Sequence, residues 1–247
     1  MTTSTGQQSP TEPPPGSGAD GATNVANRTN KLRAGVLGAN DGIVSVAGLV
    51  LGVAATTADR APIFTAGLAG LVAGAMSMAV GEYVSVSTQR DTEHALLAKE
   101  RHELATDPEG ELAELADLYV QRGLTPDLAR QVAEQLHAGP RTLEAHAEVE
   151  LGISLHRLVS PWSAAISSFI AFSVGALLPL VAILAPPQSW RSAVTFVAMV
   201  VALALTGSIS ARLGGADRKR AILRVVVGGA LAMAITYGIG RLVGTHI

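Results

Sequence analysis

The chain contains no cysteine. That removes disulfides, thiolate metal sites and cysteine nucleophiles together, and it leaves the redox compartment unreadable. Aromatic residues are scarce, at 4%. Charged residues are also scarce, at 15%, against about 25% in ordinary soluble domains. No glycine-rich phosphate loop occurs, no Ser/His/Asp order and no basic-aromatic surface of the kind that nucleic acid needs. The chain therefore reads as a non-enzyme without a nucleic-acid partner.

What the chain has is apolar length. Hydrophobic residues make up 48% of it, and they come in blocks of about 20 residues, enough to cross a bilayer. Five spans are predicted: about Ala34 to Ala55, Ile63 to Ser87, Trp162 to Leu184, Trp190 to Ala211 and Ala221 to Val243. Residues 1–28 are rich in Ser, Thr, Gly and Pro, with no apolar core behind a basic start, and are expected to be a disordered tail rather than a signal peptide. Residues 29–90 then hold the first two spans and residues 160–247 the last three. Arg28, Lys31 and Arg33 precede the first span, and Arg212, Arg218, Lys219 and Arg220 lie between the fourth and fifth, whereas the opposite loops offer Arg60 and Arg191. The positive-inside rule puts the N-terminus in the cytoplasm and the C-terminus outside.

Charge is segregated. Residues 91–159 carry fourteen acids against six Lys or Arg, a net of −8, and five of the six histidines. The segment is too polar to span a membrane and is patterned as short helices, broken at Asp107-Pro108-Glu109-Gly110 and at Gly139-Pro140, with Thr125-Pro126 as a helix start. Short helices must pack on each other to persist. No breaker separates the second span from this segment, so one long helix should leave the membrane and continue into water. The expected fold is all-α: five transmembrane helices, with a cytoplasmic domain of three to four helices inserted between the second and third.

Asp41 is the most informative residue. It sits in Gly38-Ala39-Asn40-Asp41-Gly42-Ile43-Val44-Ser45, inside the first span, where a carboxylate costs several kcal/mol. A cation or proton path explains it; so does capping of a broken helix beside Gly42, or pairing with Arg33. On the second span, Gly74-Ala75-Met76-Ser77-Met78-Ala79-Val80-Gly81-Glu82-Tyr83 brings two thioethers and a carboxylate. Met76 and Met78 cannot share a helical face, whereas Met78 and Glu82 can. In the acidic segment Glu100/Glu103 and Glu111/Glu114 are spaced to share a face, with Glu144, His146, Glu148 and Glu150 further along. Such carboxylates can converge on a divalent cation, or they can form an ordinary solvated face. Gly48/Gly52, Gly70/Gly74 and Gly240/Gly244 permit close helix approach, either within one chain or, with Gly35, at a dimer face.

These strings resemble the vacuolar iron transporter (VIT) family, most strongly in the Gly38–Ser45 and Gly74–Tyr83 motifs, in Gln89-Arg90-Asp91, in Glu150-Leu151-Gly152 and in Gly175-Ala176-Leu177-Leu178-Pro179-Leu180. The resemblance implies a five-span homodimer that moves Fe²⁺, and often Mn²⁺, out of the cytoplasm in exchange for protons. It implies a path at the dimer interface lined by the first two spans, with Asp41 and Met78 at metal-contacting positions and Glu82 near its cytoplasmic end. It also implies a cytoplasmic metal site to which Glu100, Glu103, Glu111, Glu114 and Glu150 correspond. Two departures stand out. Gly70 replaces a glutamate that some members carry, and His146-Ala147 replaces adjacent methionines, so that an imidazole suited to Fe²⁺, Mn²⁺ or Zn²⁺ takes the place of a thioether. A bacterial-looking chain has no vacuole, so the bacterial plasma membrane is the expected location. The alternatives are a membrane-anchored, ferroxidase-like di-iron protein and a transporter of another solute.

Overall fold

The computed structural model describes the backbone of residues 19–155 and 160–244, with side chains from Ala34 onward. The first eighteen residues of the expected tail, the side chains of Arg28, Lys31 and Arg33, and residues 156–159 beside the expected domain boundary lie outside the described residues. Eight helices occur among the described residues, with no strands: α1 (Ala19–Ala54), α2 (Arg60–Thr106), α3 (Pro108–Gln121), α4 (Pro126–His137), α5 (Thr142–Val149), α6 (Pro161–Leu184), α7 (Arg191–Gly214) and α8 (Arg218–Gly244). Five of them, α1, α2, α6, α7 and α8, are long and apolar enough to cross a membrane. α1 begins at Ala19, inside the stretch assigned to the tail from composition.

Local chemistry sets the boundaries. α2 runs unbroken to Thr106 and stops where Asp107 leaves helical geometry. The Asp107 carboxylate then accepts from the Gly110 amide at 3.0 Å, and Pro108 occupies the first turn of α3, a position that needs no N–H donor. Thr125 and Pro126 open α4 as expected, but the Thr125 hydroxyl makes no capping bond. α7 ends at Gly215, whose φ of 64° is left-handed.

α6 packs along both α1 and α2, while α8 lies against α1 and α7. Its crossing with α1 is backbone to backbone. A Cβ on Gly42 would overlap the Phe172 carbonyl, and one on Gly175 would overlap the Ala39 carbonyl. α1 is continuous through Gly42, so Asp41 does not cap a broken helix. Gly48 and Gly52 meet Thr236 of α8, and Gly240 meets Gly52. Gly70 meets Leu49, and Gly74 meets the Phe172 ring. These spacings serve packing within the chain. Ile43, Val50, Ile63, Phe172, Leu203 and Met233 fill the interior. Away from α2 the outer surface is apolar, with Val174, Val181, Val201, Leu205, Leu231 and Ile239 exposed, as lipid contact requires. At one end, Arg60 donates to the Pro186 carbonyl at 3.2 Å and Arg191 to the Ala58 carbonyl at 2.9 Å, so the α1–α2 and α6–α7 loops are tied reciprocally.

Two glycine substitutions test this crossing. Gly42→Ala should lower the melting temperature in detergent, because the new methyl meets the α6 backbone, an overpacking that costs about 1–3 kcal/mol. Gly35→Ala has nothing within 4 Å, and should be neutral or stabilising by up to about 1 kcal/mol through helix propensity. Equal effects of the two would overturn this packing.

Candidate metal centres

α2 has 47 residues. At 1.5 Å per residue that is about 70 Å, over twice the roughly 30 Å apolar slab of a bilayer. Its C-terminal part therefore stands clear of any bilayer that its N-terminal part crosses. Glu100 lies on this extension, Glu111 in the first turn of α3, His146 in α5 and Glu150 at the end of α5. The break at Asp107 folds α3 back, and α5 packs on α2 through Leu97, Ala147 and Ile153. The result is one pocket in which a ligand atom from each of Glu100, Glu111, His146 and Glu150 lies within 4.8 Å of the others.

The pocket is dry. Glu100 is 2% exposed, Glu111 8% and His146 1%. His146 Nδ1 is 3.2 Å from Glu100 Oε1 and 3.6 Å from Glu111 Oε2. One oxygen on each of Glu100, Glu111 and Glu150 is buried without any hydrogen-bond partner. No Lys or Arg lies within salt-bridge distance of these three carboxylates among the described residues. Burial, then the Glu150 and Glu111 carboxylates, push Glu100 up to about 7. Burial and the Glu114 carboxylate push Glu111 and Glu150 up as well. Burial, then His137, holds His146 below the ordinary imidazole range, so its ring is neutral and has a lone pair to offer. Anionic oxygens held this way require protons or a cation. Three carboxylates and an imidazole suit a borderline divalent ion such as Fe²⁺, Mn²⁺ or Zn²⁺.

The second constellation lies between α1 and α2. An open groove of about 420 Å³ is lined by Asp41, Ser45, Leu49, Ser77, Met78 and Phe172 among others. Asp41 is the one charged residue in that lining, and it accepts from Ser45 Oγ at 2.6 Å. Met78 is half-buried and faces the groove, whereas Met76 is 53% exposed on another face. Gly70 also lines the groove and adds no ligand there.

The sequence profile of the VIT family matches residues 32–241. The chain belongs to the VIT family. A vacuolar iron transporter of Acanthamoeba castellanii is 47% identical over 85% of this chain and 78% of its own length. Vacuolar iron transporter homolog 1 of Oryza sativa subsp. japonica is 39% identical over 94% and 81%, and homolog 2.1 of Arabidopsis thaliana is 36% identical over 88% and 84%.

Within this VIT chain the sequence-predicted residues separate. Glu100, Glu111, His146 and Glu150 meet in one pocket, and Asp41 and Met78 meet in the groove. Glu103 turns aside to Lys99 Nζ at 2.8 Å, and Glu114 is exposed, so both act on the pocket through their charge. Glu82 is half-buried one turn beyond Met78, outside the groove lining. Ser45, i+4 from Asp41, escaped the sequence reading although helical spacing alone signals it. His137 escaped it too: its Nδ1 lies 3.3 Å from His146 Nε2, across a turn that sequence spacing does not resolve.

The raised carboxyl makes stability depend on pH in a stated direction. Glu100 goes from an ordinary 4.5 to about 7 on folding, so its contribution is fully present below 4.5 and is lost as pH rises through about 7. Metal-free protein should therefore melt lower at about pH 8 than at about pH 5, with Glu100 contributing about 3 kcal/mol at most. Glu100→Gln should flatten this dependence, and a divalent ion should restore the melting temperature at the higher pH. A flat profile in the wild type would refute the burial argument.

Proposed function

We propose that this protein exports a divalent metal ion, Fe²⁺ or Mn²⁺, from the cytoplasm in exchange for protons. The observation that carries the reading is the dry pocket with its three unpartnered carboxylate oxygens, set on the same helix as the second wall of the Asp41 groove. The names of the relatives, vacuolar iron transporters and their homologs, support iron as the cargo. Residues 91–159 form the proposed cytoplasmic domain, with the N-terminus inside and the C-terminus outside, in a plasma membrane. The domain's net charge of −8 over residues 91–159 raises the local cation concentration. Glu100, Glu111, His146 and Glu150 collect the ion, with Glu103 and Glu114 strengthening the field. Glu82, Met78 and Asp41 then replace its water in steps. A carboxylate holds a proton or a metal but not both at full strength, so Asp41 can return a proton after releasing the ion.

A homodimer completes this reading. Leu37, Asp41, Ser45 and Leu49 form an exposed stripe at four-residue spacing on α1. A carboxylate facing lipid costs about 2.5–3.5 kcal/mol even on insertion scales. A second copy packed over this stripe would shelter Asp41 and turn an open groove into a path. Single cysteines at Leu37 and Leu49, in this cysteine-free chain, should cross-link the dimer, whereas a cysteine at Leu231 on the outer face of α8 should not. Cross-linking at Leu231 alone would exclude this arrangement.

Metal flux into proteoliposomes tests the mechanism. Asp41→Asn keeps the shape but loses the negative charge and the titratable proton, so flux should vanish. The melting temperature should hold or rise, because an expensive intramembrane charge has been removed. Glu100→Gln with Glu111→Gln should instead raise the metal concentration needed for half-maximal flux and leave the saturated rate largely intact. Wild-type flux in Asp41→Asn would make Asp41 structural and refute the mechanism.

A further inference from the structure

His137 has no part in the transport reading so far. It is the last residue of α4, and its half-buried ring meets the His146 ring edge-on, with centroids 5.4 Å apart and planes at 64°. The backbone holds it there. The Thr142 hydroxyl, at the start of α5, donates to the His137 carbonyl at 2.7 Å and also reaches the Gly139 carbonyl at 2.7 Å. Thr142 is one turn ahead of His146, so the two histidines are fixed to each other through a short tied turn.

The facing nitrogens permit two arrangements. His137 Nδ1 and His146 Nε2 are 3.3 Å apart and share one hydrogen. If His137 holds it, the hydrogen of His146 sits on Nδ1, among the carboxylates. Glu100 Oε1 and Glu111 Oε2 nevertheless remain without a hydrogen-bond partner, although Nδ1 is only 3.2 and 3.6 Å away. The N–H direction misses them, and this arrangement leaves a buried donor and two buried acceptors unsatisfied. If His146 Nε2 holds the hydrogen and donates it to His137 Nδ1, then His146 Nδ1 presents a bare lone pair to the same point as the three carboxylate oxygens. A cation at that point would meet four ligand atoms. A ligating histidine whose outer N–H is held by an acceptor is the usual way a protein orients an imidazole on a metal.

We infer that His137 is a positioning residue that fixes His146 in the tautomer with Nδ1 free, making the imidazole a committed ligand and shifting the pocket toward nitrogen-seeking ions such as Zn²⁺ relative to Mn²⁺. The inference rests on the metal-pocket reading above. The carboxylates alone suffice for a hard ion, so removing the orientation of His146 should weaken Zn²⁺ much more than Mn²⁺.

The test uses the full-length protein in detergent, with Zn²⁺ and Mn²⁺ affinities measured by chelator competition and the ligand set read from the visible absorption of bound Co²⁺. His137→Phe keeps a ring but removes the acceptor; His137→Ala is a second acceptor-free variant should the first not fold. His137→Asn places an amide oxygen near the lost Nδ1. The Phe variant should lose about 10- to 100-fold in Zn²⁺ affinity, with Mn²⁺ changed less than about threefold. Its Co²⁺ spectrum should move toward that of His146→Gln. His137→Asn should restore both the affinity ratio and the spectrum. If wild type binds but the acceptor-free variants keep its Zn²⁺/Mn²⁺ ratio and Co²⁺ spectrum, the inference is wrong. Equal loss of both ions without rescue by Asn also overturns it, because the role is then one of folding. If the wild type binds neither ion, the metal-pocket reading itself falls, and this inference with it.

Discussion

Anionic oxygen held away from water is the constraint on which the rest of this structure depends. Glu100, Glu111 and Glu150 each bury one oxygen without a hydrogen-bond partner. Their surroundings raise the pKa of all three, with burial the largest cause in each. A fold built for stability alone would not keep three such groups together, because replacing buried charge by apolar packing is commonly neutral or stabilising. Such an arrangement offsets its desolvation when protons or a cation neutralise the carboxylates. The helices around it are short, and the Asp107 cap and the Thr142 tie supply local order that a longer apolar core would otherwise provide.

α2 connects this pocket to the membrane. One uninterrupted helix carries Gly70, Gly74 and Met78 at the groove and Glu100 at the pocket. No proline, and no glycine beyond Gly81, interrupts it between the two, so none of the usual causes of a sharp kink separates groove from pocket beyond that point. α6 packs across the groove part of α2 and across α1. Phe172 touches the Gly74 position and also lines the groove, and the next turn of α6 lies on the α1 backbone through Gly42 and Gly175. The α1–α2 groove is thus bounded by α6 through very close contacts on both walls.

Much of this was legible in the chain, for reasons that differ from residue to residue. The spans follow from apolar length, and the continuous second helix from the absence of a breaker before Asp107. Asp41 declared itself because its bland readings were expensive, and α1 runs straight past the position where a cap would have been needed. Met76 and Met78 could be separated into opposite faces but not assigned to them, since helical periodicity gives relative and not absolute direction. Pair spacing made Glu103 and Glu114 equal candidates with Glu100 and Glu111, whereas only the inward residue of each pair enters the pocket. The glycine spacings indicated close approach correctly and could not name the partner, which is α8 for Gly48 and Gly52. His137 went unnoticed beside the Gly139-Pro140 break, because the α4–α5 turn that brings it to His146 depends on a Thr142 hydroxyl whose target periodicity does not specify.

The two constellations differ in strength in a way that suits the proposed transport. The pocket offers three carboxylates and an imidazole in a dry cavity, while the groove offers one carboxylate, a thioether and hydroxyls in an open one. A path conducts only if each site binds well enough to admit the ion and weakly enough to release it. With a second carboxylate in each protomer, a dimeric groove would surround a divalent ion with more negative charge than it carries and slow its exit. Gly70 adds no ligand there and leaves the lining of one protomer at a single charge. One Asp41 carboxylate would neutralise half of a divalent ion, so a copy packed across the stripe would supply the other half from its own Asp41. A site whose charge balance needs both copies would be complete only in the dimer, while the pocket, with all its ligands on one chain, would load in either state.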